Sequence, residues 1–204
     1  MIAIVNYGLG NVHAIANIYR SKNVPVVIAQ TAEELRSADR IILPGVGAFD
    51  HAMDRLNASG MRDAIERRVL GEHMPVLGIC VGMQMMANRS DEGVRKGLGW
   101  IAGEVKKFDI SKISHRTHLP HMGWNTVQPR TANGLFSELG VDARFYFLHS
   151  YYFSPLEPES VLAVTDYNGN YASSVGKGSV FGVQFHPEKS HNWGVKLLLN
   201  FAAL

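Results

Sequence analysis

Pro75-Val76-Leu77-Gly78-Ile79-Cys80-Val81-Gly82-Met83-Gln84 is an apolar run of strand length that reaches a cysteine set between glycines and then turns into a helical pattern. Pro75 opens the strand. Passing from strand to helix in so few residues needs a sharp turn, which forces its central residue into an uncommon backbone conformation. Small neighbours give the surrounding backbone room. Such a turn lifts the side chain of Cys80 over the carboxyl edge of the sheet, where open α/β folds bind ligands. A helix N-terminus there favours thiolate over thiol, and the N–H of Val81 points to where an oxyanion would form. A lone cysteine is also a good small buried hydrophobe, and the pentapeptide alone leaves that alternative open.

Working outward, the first half of the chain alternates short apolar runs with helical periodicity. Residues 2–5 read as a buried strand ending at Tyr7-Gly8-Leu9-Gly10. Val12, Ile15, Ala16 and Tyr19 fall on one helix face. The pattern then predicts a strand over 25–29, a short helix over 32–37 and a strand over 41–43. Two helical segments follow, carrying Met53 and Leu56, then Met61, Ala64 and Ile65. This rhythm predicts an α/β fold: a mostly parallel sheet with helices on both faces. The second half predicts strands over 100–108, 124–128, 143–148, 160–166, 171–176 and 179–185, an added antiparallel portion. A closing helix places Trp193, Leu197, Leu198 and Phe201 on its inner side. Without a repeat or linker, residues 1–204 read as a single domain.

A nucleophile needs a base. Phe181-Gly182-Val183-Gln184-Phe185 is a strand, and His186-Pro187-Glu188 stands at its tip. Pro187 stops the ladder. On an extended segment, spacing of two puts the imidazole and the carboxylate on the same side, so Glu188 orients His186 while the other ring nitrogen faces a thiol. H-x-E also occurs in zinc deaminases, but those need a later pair of cysteines, and this chain has a single cysteine. No metal site is therefore expected. Pro44-Gly45-Val46-Gly47 follows strand 41–43 and could turn backbone N–H groups towards an anion, or be a plain turn. Gly8-Leu9-Gly10 lacks the third glycine of a dinucleotide-binding loop, His13 standing in its place, so no cofactor is expected.

Composition excludes several classes. Over 204 residues the chain is 46% hydrophobic and 19% charged, enough for one sizeable core. A formal net charge of +2 is too small and scattered for nucleic acid as the main partner. No apolar run is long enough to span a bilayer. Met1 leads into Ile-Ala-Ile-Val with no basic stretch, and one cysteine forms no internal disulfide, so a cytoplasmic setting is expected.

With these motifs together, the chain resembles the class I, triad-type glutamine amidotransferases, which have a flavodoxin-like sheet. Within them it is most similar to the glutaminase subunits that serve a barrel cyclase in histidine biosynthesis. The resemblance rests on Asn6–Asn11, Pro44–Gly47, Leu77–Gln84, Pro120–Asn125, Tyr146–Tyr151 and Gly182–Ser190, in family order from end to end. It implies Cys80 as nucleophile, His186 as base and acid, and Glu188 as its orienting carboxylate. It implies an oxyanion hole from the Val81 N–H and the Gly45, Val46 and Gly47 loop, with Gln84, Ser150 and Tyr151 holding L-glutamine. The implied partner is a (β/α)8-barrel cyclase subunit, forming a heterodimer and docking near Asn11, Met122, Trp124, Asn125, Tyr146 and Lys189. Relatives that supply ammonia for amidation of a bacterial surface-polysaccharide sugar would share these residues, so the pathway stays open here. A non-catalytic regulatory module on the same fold would retain no use for the triad.

Overall fold

The computed structural model describes residues 1–113, 119–131, 134–167 and 169–204. In chain order the first half runs β1 (Ile2–Val5), α1 (Val12–Ser21), β2 (Val26–Ala29), β3 (Arg40–Gly45), α2 (Phe49–Ala58), α3 (Arg62–Glu66), β4 (Val76–Cys80) and α4 (Val81–Gln84). The rest runs β5 (Arg89–Ser90), β6 (Gly103–Lys107), β7 (His121–Thr126), β8 (Gln128–Pro129), β9 (Arg144–His149), β10 (Tyr151–Pro155), β11 (Val161–Asp166), β12 (Asn170–Lys177), β13 (Val180–Val183) and α5 (His191–Ala203).

Over the described residues the main sheet has eight strands in the order β2-β1-β3-β4-β13-β12-β11-β8. From β2 to β13 every neighbour is parallel, and from β13 to β8 every neighbour is antiparallel. All residues of β1 and β4 are buried, as a sheet covered on both faces requires. Helix α1 buries Val12, Ile15, Ala16 and Tyr19, and the Tyr19 hydroxyl donates to the Leu198 carbonyl of α5 at 2.9 Å. Two small sheets, β10-β6-β5 and β7-β9, stand beside the main one. Among the described residues no helix is long and apolar enough to cross a membrane.

Several elements differ from expectation. Residues 32–37 form turns rather than a helix. The Glu34 carboxylate accepts from the Gln30 and Thr31 N–H groups, so a capping box forms. Six residues are too few to propagate it before β3 begins. The strand expected over 100–108 is shorter, and the one expected at 124–128 begins at His121 and breaks at Val127. β10 was not expected at all. Residues 180–183 lie parallel to β4, in the sheet centre rather than in an antiparallel appendage. That insertion brings the end of β13 beside the end of β4.

Candidate active site

Cys80 has φ 55° and ψ −114°, a conformation rare for a residue with a Cβ. The turn closes because Gly82 has no side chain: a Cβ there would run into the Leu43 carbonyl. Gly45 pairs with Cys80 in the β3–β4 register, and a Cβ on Gly45 would stand 2.5 Å from the Gly82 nitrogen. The backbones of β3 and of the strand–helix turn therefore come into close contact at Cys80. α4 is a single turn of four residues, so the helix dipole expected to favour thiolate is short here. Support for the thiolate must come from side chains.

His186 supplies the first such support. It is buried, and its backbone is clamped: its N–H donates to the Tyr146 carbonyl at 2.9 Å, and its own carbonyl accepts from the Ser190 hydroxyl at 2.6 Å. Nδ1 lies 2.9 Å from Glu188 Oε1. Residues 187–189 form a 3₁₀ turn, so Glu188 reaches the ring by folding back and not along an extended segment as the spacing argument assumed. Gly194 lets α5 close on this turn, since a Cβ there would strike the Pro187 carbonyl. Burial alone pushes the imidazole pKa down. Hydrogen bonds and charge interactions with Cys80 and Glu188 outweigh it and raise the value to about 10. The arrangement favours the protonated imidazolium form of His186.

Cys80, Val81, Val46, Gly47, Gln84, Ser150, Tyr151, His186 and Lys189 line one cleft of about 320 Å³, joined by Glu92, Leu148 and His149. That volume suits a small ligand. Gly45, which pairs with Cys80 across β3 and β4, is not among the lining residues, and Glu188 holds His186 with its own side chain 2% exposed. The Pro44–Gly47 loop is tethered from below, where the buried Tyr7 hydroxyl donates to the Pro44 carbonyl at 2.7 Å. Burial, then the negative sulfur, hold that phenol well above its ordinary pKa, so it stays a donor.

Residues expected at a partner surface divide by strand face. In the β7–β9 register Met122 faces Leu148 and Trp124 faces Tyr146. These four form an apolar patch at the cleft rim, with Met122 61% and Trp124 36% exposed. Lys189 Nζ stands 5.6 Å from the Tyr146 ring centroid, within cation–π range. Asn125 points to the other face, where its amide donates to the Asp166 carbonyl at 2.9 Å and meets His121 Nε2 at 3.2 Å. Asn11 is exposed at the start of α1, next to Gly10, which packs against Pro44.

The inward face carries side chains that sequence reasoning missed. His121 Nδ1, His149 Nε2 and the Tyr171 hydroxyl lie 3.1–3.2 Å from one another. His149 Nδ1 donates to the Tyr151 carbonyl at 2.7 Å. Burial, then the neighbouring His121, pull the His149 pKa down to about 3, so the ring is neutral. Gln84 Nε2 donates both to that same carbonyl and to Gln184 Oε1, each at 3.0 Å, which leaves Gln84 an acceptor towards a ligand. Gln184 was detectable as a polar residue inside an apolar strand, on the same side as His186. Glu92 accepts from the Phe49 N–H at the start of α2. Nothing in its local pattern marked it as a cleft residue.

A cysteine on a strained strand–helix turn, a histidine held by a carboxylate and a glycine loop thus stand together at one cleft of an α/β sheet. The chain belongs to the glutamine amidotransferase class-I family, whose model matches residues 3–203. More particularly, it is 55% identical over 204 residues to the imidazole glycerol phosphate synthase subunit HisH of Bdellovibrio bacteriovorus, covering 100% of both chains. The subunit of the same name from Leptospira interrogans is 48% identical over 204 residues, again covering 100% of both. A solved glutamine amidotransferase shares the fold with a TM-score of 0.76 at 17% identity, covering 100% of this chain and 99% of that one.

Proposed function

We propose that the chain is the glutaminase subunit of an imidazole glycerol phosphate synthase, hydrolysing L-glutamine and passing ammonia to a (β/α)8-barrel cyclase in histidine biosynthesis. Full-length identity of 55% to a subunit of that name supports this pathway over amidation of a surface-polysaccharide sugar. The observation that carries the chemistry is the convergence of Cys80, His186 and the Gly45–Gly47 loop at one cleft.

The Cys80 thiolate attacks the side-chain amide carbon of glutamine, and the carbonyl electron pair moves to oxygen. The Val81 N–H and an N–H from the Gly45–Gly47 loop receive that charge. His186 gives its proton to the departing nitrogen, so ammonia leaves and a γ-glutamyl thioester remains on Cys80. His186, now neutral and held by Glu188, takes a proton from water. Hydroxide adds to the thioester, the C–S electron pair returns to sulfur as the thiolate, and the new carboxyl group gives its proton to solvent as glutamate leaves. Gln84, Ser150 and Tyr151 hold the amino-acid end of the substrate, and Glu92 offers a carboxylate to its ammonium group. Free ammonia would be protonated in bulk water, so the apolar rim of Met122, Trp124, Tyr146 and Leu148 is where we place the cyclase.

Glutamate and ammonia release by the chain alone and with the barrel subunit and its phosphorylated substrate tests this reading. Stimulation by partner and substrate, lost in Cys80→Ala, supports it. A wild-type rate retained by Cys80→Ala refutes it.

A further inference from the structure

The hydrolysis just described gives the Gln184 side chain no task, yet this amide is fully buried against the nucleophile, its Nε2 3.8 Å from Cys80 Sγ. Which end of an amide faces a neighbour is decided by its bonding network. Here a backbone carbonyl decides it. Tyr151 O only accepts, so the Gln84 end that lies 3.0 Å away must be Nε2. The same Nε2 lies 3.0 Å from Gln184, which must therefore present Oε1 to it. Gln184 is left with its N–H groups towards the sulfur. Reversing either amide sets two oxygens or two N–H groups face to face in a buried site. His149 Nδ1 fills the second lone pair of the Tyr151 carbonyl, so the acceptor that sets the direction is itself saturated and held.

We propose that Gln184 is a further catalytic residue, whose side-chain N–H donates to the Cys80 sulfur whenever that sulfur is anionic. This rests on Cys80 being the nucleophile. A thiolate accepts such a bond better than a thiol does, so the donor shifts the balance towards thiolate without adding a titrating group. It acts most on the step in which the C–S bond breaks, because that bond's electron pair then returns to sulfur. His186 cannot serve both ends of that step alone, since it is engaged with the attacking water, whose proton it has taken. With α4 one turn long, Gln184 supplies what a longer helix dipole otherwise would.

The titratable groups around the sulfur are His186 with Glu188 behind it, Tyr7 and Tyr171, and Glu92, His149, Tyr151 and Lys189 along the cleft. Gln184→Met keeps approximate shape, removes the donor and leaves all these charges in place. Alkylation of Cys80 in the full chain by iodoacetamide, followed against pH, reads the thiolate directly. The midpoint in Gln184→Met is expected to rise by about one pH unit, slowing alkylation about tenfold at a fixed pH below it. Gln184→Glu, which also places a negative charge beside the sulfur, is expected to shift it further. A side chain with only a structural role would lower the melting temperature and leave the midpoint unmoved, and that result overturns the proposal. Should the variants not fold, nitrogen-15 spectra of the wild-type chain decide: the Gln184 side-chain amide resonances must move on alkylation of Cys80, and unmoved resonances overturn the proposal. Glutamine hydrolysis surviving in Cys80→Ala would instead sink the nucleophile assignment, which is a separate failure.

Discussion

Glu188→Gln isolates the contribution of one buried charge. The wild-type carboxylate lies 2.9 Å from His186 Nδ1, and its other oxygen, Oε2, is buried with no partner among the described residues. Its interaction with the ring is therefore concentrated in one contact. A hydrogen bond to a charged group contributes about 1.5–3 kcal/mol and a neutral one about 0.5–1.5 kcal/mol. Gln keeps an acceptor at Oε1 and the shape of the side chain, so the loss is the difference, about 1–2 kcal/mol. That corresponds to a fall of roughly 5–30-fold in kcat/KM for glutamine. Because Glu188 helps raise the His186 pKa to about 10, the alkaline limb of the rate profile should also move to lower pH. Stability follows the same sign. A folded-state pKa raised from 6.5 to about 10 contributes stability that is full below about pH 6.5 and is lost as pH rises towards 10. The variant should lose stability near neutral pH and show a flatter alkaline decline. The assays are steady-state ammonia release by the assembled enzyme and urea unfolding, both across pH. A rate and an alkaline limb both unchanged in a folded Glu188→Gln would refute the reasoning.

Three other perturbations probe the glycine loop, the buried His149 and the apolar rim. Tyr7→Phe removes the 2.7 Å bond to the Pro44 carbonyl, worth about 1 kcal/mol; with the oxyanion role proposed for the loop, kinetics should show kcat falling roughly fivefold with KM little changed. His149 carries a pKa depressed to about 3, so it contributes stability above about pH 6.5 that is lost as pH falls. His149→Gln should flatten that acid loss in unfolding titrations while raising KM for glutamine through the loosened Tyr151 carbonyl. Trp124→Ala should weaken cyclase binding by about 2 kcal/mol, roughly 30-fold in Kd by titration calorimetry, with the melting temperature of the isolated chain nearly unchanged.

The elbow was legible because its requirements are local: a strand, glycines where backbone crowds, and a cysteine where φ turns positive. The His186–Glu188 pairing was legible for a partly wrong reason. Extended spacing suggested the contact, but a 3₁₀ turn makes it, held by Ser190 folding back on His186 and by Gly194 admitting α5. β10 escaped notice because Arg144–Pro155 reads as one aromatic stretch. Its division at Ser150 comes from pairing with different strands, β7 before and β6 after. The polar network behind the sulfur draws on Gln84, His121, His149, Tyr171 and Gln184, far apart in the chain. Periodicity carries no information about such meetings. Strand alternation did hold the division of β7 into an outer face with Trp124 and an inner one with Asn125, but only once the β7–β9 register was known.

If Cys80 carries the glutamyl group, the adduct can be trapped on it. The assembled enzyme would be treated with an electrophilic glutamine analogue, digested, and analysed by mass spectrometry. One glutamyl-type adduct is expected, on Cys80, formed in step with loss of activity and prevented by excess glutamine. Loss of activity with Cys80 unmodified, or an adduct elsewhere that glutamine protects, would contradict it.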